Sequence, residues 1–190
     1  MIDAFLLSFG VIFLAELGDK SQLMALAFAA RFPAVPVLVA ITLATALVHL
    51  GSVALGATVA VALPTNVISI VAGLAFLVFA GWTLRGDRLD ETEEDKARRA
   101  AGSVILTVGT AFFLAELGDK TMLATVTLAT HEDALGTWLG STAGMVVADA
   151  IAIGVGKALG TRLPDRAIRI GAAVAFVVFG LILIWQGTHG

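Results

Sequence analysis

Phe13-Leu-Ala-Glu-Leu-Gly-Asp-Lys20 and Phe113-Leu-Ala-Glu-Leu-Gly-Asp-Lys120 are identical octapeptides one hundred residues apart, each inside a long apolar run. A charged side chain at the centre of a membrane helix costs about 2.5–3.5 kcal/mol, and ionisable residues at that depth mark ion or proton paths. Each copy brings two carboxylates and one ammonium there. Brought together, Glu16, Asp19, Glu116 and Asp119 face Lys20 and Lys120, and the fully ionised set is two charges negative. One divalent cation or two protons would neutralise it, which is the chemistry of metal–proton exchange at a single site. Oxygen-only donors suit Mg2+, Ca2+ or Mn2+ rather than thiophilic metals.

Several neighbours could assist. Ser21 and Thr121 offer hydroxyl oxygens, Gln22 an amide oxygen, and its counterpart Met122 a thioether whose softness would favour Mn2+ over Ca2+. Packing alone would also account for Met122. His49 and Asp149, again one hundred apart, are candidates for a proton relay or for support behind the ligands. Glu16 and Asp19, three residues apart, are expected on one helix face with Lys20 at its border. Gly18 between them weakens the helix by about 1 kcal/mol and would ease a kink.

The elements that must carry these groups are apolar spans. The chain has 190 residues, 58% hydrophobic and 14% charged, with no cysteine. That composition excludes an ordinary soluble domain and predicts an all-α integral membrane protein. The absence of cysteine removes disulfides, thiolate metal sites and cysteine nucleophiles. Six spans are read, approximately Ala4–Ala30, Val35–Leu63, Val67–Leu84, Gly102–Thr130, Ala134–Gly160 and Ala167–Gln186. The first is expected to be a mature helix, since it lacks the flanks of a signal peptide. Pro33, Pro36, Pro64 and Pro164 fall at or near span ends, as do Trp82, Trp138 and Trp185, which suit an interfacial belt. Gly51, Gly56, Gly140, Gly144, Gly154 and Gly156 are expected to permit close helix packing.

The repeat extends beyond the octapeptide. Gly56, Leu63-Pro64, Ile70, Phe76 and Phe79 recur at positions 156, 163–164, 170, 176 and 179. The chain therefore divides into a first three-helix repeat (1–84), a charged linker (85–101) and a second repeat (102–190). Three spans per half thread the second half in the opposite sense, the inverted plan of many secondary transporters. Apart from Lys20 and Lys120, the ten Lys and Arg residues lie between spans or at span ends. Six spans place all ten on one face, which the positive-inside rule makes cytoplasmic, with both termini outside and the central loop inside. The mixed-charge linker is read as a solvated connection.

The paired Glu-Leu-Gly-Asp-Lys-[Ser/Thr] segments resemble the duplicated signature of the Gdt-type Ca2+/Mn2+:proton exchanger family. The resemblance covers the whole chain, and the short length looks like the bacterial MneA-type manganese-exporter branch. It implies that Glu16, Asp19, Glu116 and Asp119 are cation ligands, and it implies a fold of the wider lysine-exporter superfamily. The expected function is secondary transport, with Mn2+ leaving the cytoplasm in exchange for protons across the bacterial inner membrane and Ca2+ open as a second cargo. A Ca2+/H+ exchanger is the alternative, with a divalent-cation channel behind it. No phosphate-binding Gly-x-x-x-x-Gly-Lys-[Ser/Thr] loop and no His-Glu-x-x-His occurs, so ATP use and metallohydrolase chemistry are not expected. The expected partners are a divalent ion, protons and lipid. No nucleic acid or resident cofactor is expected, and the oligomeric state is open.

Overall fold

A computed structural model describes residues 1–85, 103–159 and 165–189. All regular structure among them is helical: α1 Ile2–Glu16, α2 Lys20–Ala29, α3 Ala34–Ala62, α4 Thr65–Arg85, α5 Val104–Glu116, α6 Lys120–Ala129, α7 Ala134–Leu159 and α8 Asp165–His189. The linker and half of the basic residues that set the expected orientation lie outside the described residues, as does the Leu163-Pro164 match.

Among the described residues the six apolar runs thus give eight helices, because the first and fourth are each broken at the octapeptide. The break has the same form in both. Leu17 and Asp19 are extended (ψ 116° and 167°), as are Leu117 and Asp119 (ψ 114° and 169°). Gly18 and Gly118 between them sit at φ 76° and 80°. Only glycine takes that conformation without Cβ strain. The amide N–H groups of Asp19 and Asp119 donate back to the Glu16 and Glu116 carbonyls at 3.0 and 3.2 Å, closing each turn. Glu16 and Asp19 therefore do not share a helix face as the spacing predicts: the glutamate ends one helix and the aspartate begins the next.

Two unbroken helices, Ala34–Ala62 and Ala134–Val155, are each long and apolar enough to cross a bilayer. The half-helices α1 and α2 rise about 22 and 15 Å, so only together do they reach the roughly 30 Å of a hydrocarbon core.

The halves interlock. α1 packs along α7, and α5 and α6 pack along α3, so each broken helix lies on the long helix of the other half. α3 and α7 meet through Thr45, whose hydroxyl donates to the Met145 sulfur at 3.3 Å. α4 and α8 form the most extensive pair. They meet at Gly73 and Gly180, where an added Cβ would come within 2.6 and 2.7 Å of the facing backbone carbonyl. Four phenylalanines at repeated positions fill the centre, with Phe76–Phe176 and Phe76–Phe179 centroids 5.8 and 5.7 Å apart.

The expected close packing at glycine holds at some positions and not at others. A Cβ at Gly56, Gly140 or Gly144 would lie 2.4, 2.3 or 2.6 Å from a neighbouring carbonyl oxygen, whereas Gly51 and Gly154 have nothing within 4 Å. Trp138 does more than decorate a boundary: its indole N–H donates to the Ala46 carbonyl in α3 at 2.9 Å. Two apolar crevices of about 540 and 370 Å3 open between α3 and α5 and between α1 and α8. None of the octapeptide carboxylates lines either one.

Candidate functional site

The two breaks place all four acids in the interior. Glu16 and Asp19 are fully buried, and Glu116 and Asp119 are nearly so. The decisive contacts run between copies. Lys120 Nζ lies 2.8 Å from Asp19 Oδ1, and Lys20 Nζ lies 3.9 Å from Asp119 Oδ1. Each lysine reaches past its own copy to the aspartate of the other. The pairs are unequal: the Lys120 side chain is 4% exposed and that of Lys20 is 22% exposed. Desolvated ions close together attract strongly, but losing one partner strands the other.

The glutamates are held locally. Ser21 donates its hydroxyl to Glu16 Oε1, and Thr121 donates to Glu116 Oε2 at 2.7 Å. Both hydroxyls sit in the first turn of a half-helix. Each glutamate thus lies over a helix N-terminus, where the dipole favours negative charge. The remaining oxygen of each glutamate, Glu16 Oε2 and Glu116 Oε1, is buried without a hydrogen bond. Glu16 lies in the field of Asp149, Asp19 and Glu116, while Glu116 lies in that of Asp119, Asp19 and Lys20. The acids of both halves therefore form one electrostatic cluster.

Gln22 and Met122 serve the breaks. Gln22 Oε1 accepts the Gly18 N–H at 2.9 Å, and the Met122 sulfur accepts the Gly118 N–H at 3.1 Å. Gln22 also donates to the Ala148 carbonyl of α7 at 3.2 Å, tying α2 to the other half. The next residue, Asp149, is fully buried, has neither oxygen hydrogen-bonded, and lies in the field of Glu116. His49 is equally buried, with neither ring nitrogen bonded.

The structure brings Glu16, Asp19, Glu116, Asp119, both lysines and both hydroxyl residues together, with Asp149 alongside. His49 makes no hydrogen bond to any of them. Among the described residues no three acidic or histidine side chains already form a metal-holding group. Each aspartate faces an ammonium and each glutamate a hydroxyl. Sequence reasoning missed the crossed Lys–Asp pairs. It also missed the buried hydroxyls of Ser8, Thr137 and Ser141, none of which has a partner. The visible signal was a few small hydroxyl residues within otherwise apolar runs.

The family described as divalent cation/proton antiporter GDT1 matches residues 4–91 and 104–190. The chain belongs to this family. It is accordingly a transmembrane transporter of divalent cations, and the expected family resemblance holds. Similar proteins include a Vibrio cholerae protein described as "Putative manganese exporter", 37% identical over 179 residues, covering 92% of this chain and 87% of that protein. A GDT1-like protein of Synechocystis sp. is 28% identical over 203 residues, covering 97% of this chain and 98% of its own. The chloroplastic protein PAM71 of Arabidopsis thaliana is 30% identical over 209 residues, covering 96% of this chain and 56% of PAM71. No solved structure matches the chain.

Proposed function

We propose that the protein exports Mn2+ from the cytoplasm in exchange for protons, using one site built from both octapeptides. Glu16, Asp19, Glu116 and Asp119 supply the ligands. Lys20 and Lys120 balance the aspartates while no metal is bound and withdraw when it binds. Ser21 and Thr121 orient the glutamates, Gln22 and Met122 fix the breaks, and Asp149 stands behind the ligands as a proton acceptor. His49 belongs to the approach rather than to the ligand set. The carrying observation is the crossed pairing of Lys120 with Asp19 and Lys20 with Asp119. It makes the two aspartates parts of one charge cluster, so a cation bound by one half is felt by the other.

The remainder of the reading follows from that site. The broken helices act with α3, α4, α7 and α8 as six transmembrane spans, in halves 1–84 and 102–190 joined by a cytoplasmic linker at 85–101. Opposite threading of the halves gives alternating access, with both termini outside. Broken helices whose ends face a midplane site are a recurring transporter device. Manganese is favoured over calcium by the manganese-exporter description of the Vibrio cholerae relative. A bacterial inner membrane is the corresponding location.

The test is transport in proteoliposomes. Wild-type protein takes up Mn2+ and moves protons the other way, and Glu16→Gln and Glu116→Gln each abolish both fluxes while remaining monodisperse. Wild-type flux in either variant rejects a shared site. Metal flux without proton counterflow rejects exchange, and a preference for Ca2+ over Mn2+ reassigns the cargo.

A further inference from the structure

The two halves repeat their backbone but not their polarity. On α1, Ser8, Ile12 and Glu16 follow at four-residue steps and so share a face. The matching face of α5 carries Val108, Phe112 and Glu116. On α7, Thr137, Ser141 and Met145 share a face in the same way, and Met145 receives the Thr45 hydroxyl, which turns that face toward α3. Their counterparts on α3 are Val37, Ile41 and Thr45. His49 lies one turn beyond Thr45, on the face of α3 that meets α7. α1 seats on α7 at Gly140 and Gly144, against the Phe5 and Phe9 carbonyls, which bracket Ser8.

Ser8 lies beside the α1–α7 seat, and Thr137, Ser141 and His49 lie on the faces along which α7 and α3 meet. All four are fully buried, and none of their side-chain polar atoms has a hydrogen-bond partner. Their counterparts Val108, Val37 and Ile41 are equally buried but apolar. Packing alone does not explain the three hydroxyls, since aliphatic side chains fill their places in the other half, while His49 is matched by the buried Asp149. A buried hydroxyl without a partner is unfavourable, and such groups call for a water or ion that satisfies them in some state. Within a membrane span an ionisable residue such as His49 faces the bundle interior or a water-filled cavity.

We infer that Ser8, Thr137, Ser141 and His49 line a hydratable half-path leading from the face of the protein that carries the N-terminus to Glu16. Protons and the hydrated cation use it on that side. Val37, Ile41 and Val108 form the opposing apolar seal, which stays dry toward that face. The inference rests on the proposed shared site but names a route that the site alone does not fix.

The chain has no cysteine, so one introduced thiol is the only one present. Ser8→Cys, Ser141→Cys, Ile41→Cys and Val108→Cys proteins are reconstituted in vesicles. Each is then treated with a charged, membrane-impermeant thiol reagent from one face at a time, with and without Mn2+. Ser8→Cys and Ser141→Cys should be modified from the N-terminal face alone, with loss of transport on modification. Ile41→Cys and Val108→Cys should resist modification from that face. Ser141→Ile, which copies Ile41, should lose transport while remaining folded. Wild-type transport by unmodified Ser8→Cys and Ser141→Cys that never react, or that react only from the opposite face, overturns the half-path. Equal reaction of Ile41→Cys from the N-terminal face overturns it too. If the wild-type protein moves no Mn2+ but the labelling pattern holds, the half-path stands and the proposed transport reaction fails.

Discussion

Lys120→Met separates the two crossed ion pairs energetically. Methionine keeps an apolar stem of similar length and removes only the charge. At 2.8 Å and an effective dielectric of about 20, Lys120 and Asp19 attract by about 6 kcal/mol; at 3.9 Å the Lys20–Asp119 attraction is about 4 kcal/mol. Solvent at the partly exposed Lys20 side chain screens its pair further, toward the roughly 1 kcal/mol of exposed ion pairs. Removing Lys120 leaves a fully buried carboxylate without its ammonium, which costs about 3–5 kcal/mol. A chain of this length melts about 2–4 °C lower for each kcal/mol lost, so Lys120→Met should lower the melting temperature by about 6–20 °C and Lys20→Met by about 2–4 °C. Thermal unfolding of the purified protein in detergent reads both values. Asp19→Asn added to Lys120→Met should recover most of the loss, because it removes the stranded charge. The reasoning is refuted if Lys20→Met destabilises as much as Lys120→Met, or if the double variant is worse than Lys120→Met alone.

Four further outcomes concern three glycines. Gly118→Ala should destabilise by about 1–2 kcal/mol through backbone strain alone, since nothing lies within 4 Å of the new Cβ. Gly118→Asn should cost less in the same denaturant titration, because asparagine tolerates positive φ. Gly140→Ala should destabilise by about 1–3 kcal/mol by prising α1 off α7, its Cβ falling 2.3 Å from the Phe5 carbonyl oxygen. Gly154→Ala, with open space around it, should be neutral or gain up to about 1 kcal/mol from helix propensity, which a parallel melt would show.

Hydropathy located the helices well. The predicted Val35–Leu63 span is α3 at Ala34–Ala62, and Val67–Leu84 is α4 at Thr65–Arg85. The breaks were half legible, because glycine between two acids weakens a helix. What propensity could not supply was that Gly18 and Gly118 adopt positive φ and end the helix outright, which moves Asp19 and Asp119 off the glutamates' faces. The Lys–Asp pairing was not legible at all. It depends on which helices become neighbours in space, and local spacing points each lysine to the glutamate four residues before it. Ser8, Thr137 and Ser141 were overlooked for a related reason. A single small hydroxyl barely changes the mean hydropathy of a span, and its lack of a partner exists only once the helices have packed.

Calorimetric titration of Mn2+ into the purified protein, repeated in buffers of different ionisation enthalpy, bears most directly on the shared site. One ion should bind per chain with release of protons, and Glu16→Gln and Glu116→Gln should each abolish that binding entirely. Two ions per chain, with each variant losing only one of them, would show two independent sites and contradict the account.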